Sequence, residues 1–108
     1  MTRSIVHVDI SGADEPRQHA FYRDLFEWTV TAQGPGYALV QAPNLRGALV
    51  ETDGPSVVLG VGVPDLEAAV ARAVELGGTV VMPPLHNGWV TKAQVTDPAG
   101  NVVTLIQT

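Results

Sequence analysis

The chain has no cysteine in its 108 residues, which excludes disulfides, thiolate metal clusters and a cysteine nucleophile. Aromatic residues are few, two each of Phe, Tyr and Trp, so the place of each bears on where a core or pocket lies. Long apolar runs are missing too, and none approaches the ~20 residues of a membrane-spanning helix. Charge is sparse: 16% of residues are charged, and the six Lys and Arg are scattered. Nucleic-acid binding needs clustered bases to displace phosphate counterions, so neither a nucleic-acid nor a membrane partner is expected. The formal net charge of −5 disfavours phosphate-rich ligands at long range. Residues Met1 to His7 show no charged segment followed by an apolar run. A secretory leader is therefore not expected, and a cytoplasmic location is the default expectation.

What is present is a globular composition, 45% hydrophobic, in a chain long enough for one modest core. A single domain over residues 1–108 is expected, and it is internally duplicated. A shift of 51 puts His7 on Val58, Asp14 on Asp65, Leu25 on Leu76 and Val30 on Val81. A shift of 53 brings Gly47 onto Gly100 later in the chain. Each half reads as strand, helix, then three strands. Ile5–Ile10 is β-rich, Asp14 caps a helix with Pro16 in its first turn, and Phe21, Tyr22, Leu25 and Phe26 fall at helical spacing. Strands follow around Trp28–Gln33, Tyr37–Gln41 and Ala48–Glu51, punctuated by Gly34-Pro35-Gly36 and by Pro43 to Gly47. In the second half Val57–Val63 is the strand, and Asp65 caps a helix with Leu66, Ala69, Val70, Ala73 and Val74 on one stripe. Gly77-Gly78 ends that helix, and strands follow near Thr79–Met82, Trp89–Thr96 and Asn101–Gln107. The modules run from about 4 to 52 and from about 57 to 108, with Thr52-Asp53-Gly54-Pro55-Ser56 as the boundary.

With this order of elements, three stretches carry a resemblance: Phe21 to Trp28, Val63 to Ala69, and Asp97-Pro98-Ala99-Gly100-Asn101-Val102-Val103. The chain resembles the vicinal-oxygen-chelate superfamily, which includes glyoxalase I, bleomycin-resistance proteins, fosfomycin-resistance enzymes and extradiol dioxygenases. The resemblance implies an α+β fold of two βαβββ modules whose mixed sheet curls into a cup. It also implies a homodimer with cups built from both chains. Metal-dependent members project ligands inward from the first and last strands of each module. His7 matches the first histidine ligand, but Val58 stands where a second histidine is common. Thr104 stands where the pattern Gly-Asn-x-x-Glu has its glutamate, and by the shift of 53 the counterpart of Thr104 is Glu51. Three protein ligands are the usual minimum for a catalytic divalent metal, so no metal site and no cofactor are expected.

Strand alternation assigns the cup. If His7 faces inward, so do Asp9, then Val58, Gly60 and Gly62 on the matching strand, and Val102, Thr104 and Ile106 on the last. Leu49 and Glu51 complete the set by symmetry. Gly60 and Gly62 either open volume for a ligand or admit a close backbone. His7 with Asp9 or Glu51 is the candidate acid–base pair; a lone, hydrogen-bonded structural histidine is the alternative. Trp28, Tyr37 and Trp89 are the aromatics able to line a pocket, and Trp89 is the candidate to stack on a ligand. Arg46 and Lys92 are able to bind an anion, although isolated bases usually only solubilise. Two functions stay open. One is a metal-free protein that binds a small, partly apolar organic molecule, as in drug or metabolite resistance. The other is an isomerase or lyase built on His7, metal-free or with a reduced site. Beside these two stands a bare dimerisation module.

Overall fold

Both helices begin at an aspartate whose carboxylate takes up a free backbone N–H of the first turn, which is what makes Asp a strong N-cap. The computed structural model describes residues Thr2–Thr108. In chain order the elements are β1 (Ile5–Gly12), α1 (Glu15–Phe26), β2 (Thr29–Gly34), β3 (Tyr37–Ala42), β4 (Leu45–Glu51), β5 (Ser56–Val63), α2 (Leu66–Glu75), β6 (Thr79–His86), β7 (Thr91–Thr96) and β8 (Val102–Gln107). Asp14 Oδ1 accepts from Arg17 N at 3.3 Å, and Asp65 Oδ1 from Ala68 N at 3.1 Å. Pro16 sits in the first turn of α1, where the missing N–H costs nothing. Gly77 closes α2 with φ +102°, and a Cβ on Gly78 would overlap the Thr96 carbonyl oxygen, so both glycines are required there.

The chain forms two compact units. One is His7–Val58; the other is Leu59–Thr108 together with the segment ending at Val6. In the first, the strand order is β2-β3-β4-β1, with β1 parallel to β4 and the other pairs antiparallel. In the second, the order is β5-β8-β7-β6, with β5 parallel to β8. Each unit carries one helix. The class is α+β, and the two βαβββ modules agree with the sequence expectation.

The core of the first unit is Ala38, Val40 and Leu49, with Ile10, Tyr22, Trp28 and Val30 packed against it. Tyr22 stacks on Trp28 at 5.6 Å between ring centroids, so Trp28 belongs to the core and not to a pocket. The second core is Val63, Leu66, Ala93, Val95 and Leu105, joined by Ala69, Val70, Ala73 and Val103. A Cβ on Gly47 would come within 2.5 Å of the Val8 carbonyl oxygen and 2.9 Å of Val8 Cγ1, so β4 passes β1 too closely for any other residue. Asp97 shapes the β7–β8 turn by accepting from Asn101 Nδ2, Asn101 N and Ala99 N, each at 2.9 Å. The Asn101 side-chain amide, with these backbone groups, holds its carboxyl below the usual range.

Three element boundaries near the site residues differ from the sequence expectation: β4 begins at Leu45, inside the turn expected over Pro43 to Gly47, and the other two lie in the second unit. β6 runs on through Pro83 and Pro84 to His86, where a loop was expected. Within its sheet it pairs only with β7, and its register shifts between Val80 and Met82 and between Met82 and Leu85. An edge strand with bulges tolerates prolines that an interior strand would reject. β7 begins at Thr91, so Trp89 lies in the connection and not in the strand.

Leu49 is 1% exposed, whereas Leu39 is 41% exposed. Leu49→Ala is expected to cost about 2–5 kcal/mol and Leu39→Ala less than about 1 kcal/mol. Urea unfolding midpoints of the two variants check this; equal losses would contradict the assignment of faces.

Candidate functional site

Residues that neighbour each other across a sheet point to the same face, and successive residues alternate. In the His7–Val58 unit, Ile10 pairs with Leu49, and both lie in the core beneath α1. His7 and Asp9 therefore point to the other face. On that face three rows cross the sheet. Gln41, Arg46 and His7 form one row; Leu39, Ala48 and Asp9 form the next; Tyr37 and Val50 lie on the third, with Ser11 beside Val50. Tyr37 and Leu39 are each 41% exposed, and Ala48 is buried between its longer neighbours. The face is polar at one end and apolar at the other.

His7 Nε2 lies 2.9 Å from Asp9 Oδ1, two residues along the same strand face. Both side chains are partly open, 29% and 28% exposed. An ionised carboxylate only accepts, so in this pair Nε2 carries the proton and Nδ1 is left as the acceptor of the neutral ring.

Leu49 and Glu51 are not on this face. The sequence reading turned them inward, and the structure reverses that. Leu49 is core, and Glu51 Oε1 accepts from Glu15 N, the first N–H of α1, at 3.0 Å. The second unit repeats the device: Gln107 Oε1 accepts from Leu66 N, the first N–H of α2, at 2.9 Å. Glu15 plus 51 is Leu66, but Glu51 plus 56 is Gln107, so the last strands align with a shift of 56 and not 53. The register agrees: Gly12 pairs with Glu51, and Val63, its equivalent, pairs with Gln107. The true counterpart of Thr104 is therefore Ala48. A slip of an odd number of residues turns every side chain of a strand to the wrong face, which is the source of the error.

In the second unit Gly60 pairs with Thr104 and Gly62 with Ile106, on the face away from α2. Thr104 is 3% exposed, and its Oγ1 accepts from Gln94 Nε2 at 3.2 Å. Gly60 is buried beside it. At Gly62 a Cβ would meet Thr108 Cγ2 at 2.8 Å and Val6 Cγ1 at 3.4 Å. The chain itself fills that space, so Gly62 serves packing and opens no volume. Trp89 is 89% exposed on the β6–β7 connection, where Asn87 Oδ1 accepts from Trp89 N and Val90 N at 3.0 Å. It stands out in solvent and stacks on none of the other aromatic rings.

The positions at which the resemblance places metal ligands thus carry His7, Ala48, Val58 and Thr104. One imidazole and one hydroxyl already bonded to an amide do not make a donor set for a divalent cation. Among the described residues no three His, Cys, Asp or Glu side chains gather closely enough to hold one. A hollow of about 370 Å³ lies by the start of α1, lined by Ala13, Asp14, Glu51, Thr52 and Asp53, but it is open to solvent and away from His7. Leu39, Gln41, Ala48 and Val50 join the His7 face without having been expected there from the sequence. The signal that finds them is the buried alternation of Ala38 and Val40, which puts Tyr37, Leu39 and Gln41 on the opposite face.

Comparison with known proteins agrees with this architecture. A family model described as a glyoxalase-like domain matches residues 5–106. No curated protein matches the chain. A hypothetical protein from Bacillus halodurans C-125 shares 14% identity at TM-score 0.81, covering 100% of this chain and 96% of that one. A glyoxalase/bleomycin resistance protein/dioxygenase superfamily member from Vibrio splendidus 12B01 shares 16% identity at TM-score 0.77, with coverage of 99% and 100%. Methylmalonyl-CoA epimerase from Mycobacterium tuberculosis shares 20% identity at TM-score 0.74, with coverage of 95% and 86%. At such identities these structures speak to the fold alone.

Glu51→Ala is expected to lose about 1 kcal/mol by removing a helix cap. Glu51→Gln, which keeps the acceptor as Gln107 does, is expected to stay near wild type. Urea denaturation of both separates the two cases, and equal destabilisation would show that the charge, not the hydrogen bond, matters.

Proposed function

The chain belongs to the glyoxalase-like domain family, within the glyoxalase/bleomycin-resistance/dioxygenase superfamily, and from that premise we propose that it binds a small, partly apolar organic molecule without a metal. The site is the face of the His7–Val58 unit that carries His7 and Asp9. The observation that supports it most is the juxtaposition, on one sheet face, of the polar pair with exposed Tyr37 and Leu39. Surface apolar residues are common singly, but an apolar patch that ends in a hydrogen-bonded His–Asp pair has the makeup of a ligand site. A ligand covering about 100 Å² of apolar surface there would gain about 2.5 kcal/mol from burial, so polar contacts have to supply the larger part of its affinity. Ala48 and Val58 offer no metal donor and the Thr104 hydroxyl is engaged by Gln94, which favours binding over the metal chemistry of other family members.

A second reading is catalytic, and the His7–Asp9 contact is what favours it. With Asp9 holding Nε2, the ring is oriented and its Nδ1 can take a proton from an acidic carbon or oxygen of the ligand and return it, the work of an isomerase or lyase. No step needs a metal in this scheme.

An open sheet face surrounds less of a ligand than binding sites usually do, so a second copy of the chain, in a homodimer, is expected to cover it. Light scattering is expected to give twice the mass of one chain; a monomer at all concentrations would remove this part.

Binding is tested by quenching of intrinsic fluorescence across a library of aromatic and aliphatic compounds. A saturable hit whose affinity drops at least about fivefold in Leu39→Asp supports the site. Hits untouched by that change would place binding elsewhere, and recovery of a chemically altered ligand, lost in His7→Ala, would favour the catalytic reading.

A further inference from the structure

One base shares the His7 face, and its setting is specific. Arg46 is the register partner of His7 on β1 and of Gln41 on β3. Adjacent strands lie about 4.8 Å apart, so the Gln41 amide, the Arg46 guanidinium and the His7 imidazole form one polar row across the sheet. Arg46 is exposed and enters none of the ion pairs among the described residues. The carboxylate of this face, Asp9, is already engaged by His7 at 2.9 Å. Among the described residues the Arg–carboxylate contacts, Arg23 to Asp24 and Arg72 to Glu75, lie on the helices. Arg46 is thus a planar, permanently charged fork beside the apolar row, with no carboxylate partner among the described residues.

Resting on the binding role proposed above for this face, the geometry points to an organic anion as the ligand class. The ligand has an apolar body over Leu39, Val50 and Tyr37, and a carboxylate or sulfonate received by Arg46 with the Gln41 amide beside it. His7 then meets the atoms next to the anionic group. The fork binds two oxygens of one group at once, which an isolated ammonium does not do. The net charge of −5 works against long-range attraction of anions, so recognition depends on this local contact. Lys92 pairs with Ile106 and Leu85 in the other unit and has no polar row beside it.

The test uses two fluorescent probes with the same rings, anilinonaphthalene sulfonate, which is anionic, and N-phenylnaphthylamine, which is neutral. Both are titrated into wild-type protein, Arg46→Ala, Arg46→Lys and Lys92→Ala. Arg46→Ala is expected to weaken the sulfonate at least about tenfold and leave the neutral probe within about twofold. Arg46→Lys is expected to recover only part of the loss, because it restores charge without the fork, and Lys92→Ala is expected to change neither probe. Sulfonate affinity unmoved by Arg46→Ala, with both probes still binding, overturns the anion assignment and leaves the binding reading standing. An equal loss in Lys92→Ala overturns it too, by showing a general charge effect. Failure of both probes to bind wild type brings down the binding reading itself.

Discussion

Each module is locked by a hydrogen bond from the first backbone N–H of its helix to the end of its last strand. Glu51 takes this role for α1 and Gln107 for α2. A helix start carries unsatisfied donors, and a strand end that supplies an acceptor fixes both the axial position of the helix and the register of the strand. Asp14 and Asp65 satisfy a second donor in each first turn. Together these contacts decide which residues of β4 and β8 lie beneath a helix and which lie on the opposite face.

The chemistry follows from that decision. With Leu49 and Glu51 committed to the helix side, β4 offers Arg46, Ala48 and Val50 to the face of His7 and Asp9. No carboxylate from β4 reaches that face, and a methyl group stands where the symmetry would otherwise supply a metal donor. The same parity brings a guanidinium beside the imidazole and an apolar row beside both. On this one sheet face an apolar row thus lies beside an imidazole, a carboxylate and a guanidinium.

The glycines illustrate how similar sequence cues divide. Gly60 and Gly62 looked alike as inward glycines of a strand. At Gly62 the side chains of Val6 and Thr108 occupy the space, and at Gly47, which drew no attention as a strand residue, Val8 leaves room for no side chain. A glycine in a strand marks a close approach, but what approaches is a property of the packed chain.

Legible in the sequence were the order of elements, both aspartate caps, the helix-ending glycines, the α+β class and the family resemblance. Those features are local or rest on a period of two or 3.6 residues, which the chain carries in its own pattern. Long-range packing fixes the face of Leu49 and Glu51, the equivalence of Ala48 with Thr104, and the exposure of Trp89. The connections before β4 and β8 differ in length, Pro43 and Asn44 against Asp97 to Asn101, and weak internal identity cannot say how many residues such a turn absorbs. A miscount by an odd number exchanges the two faces of a strand, and the contacts of Glu51 and Gln107 with their helices are what resolve it.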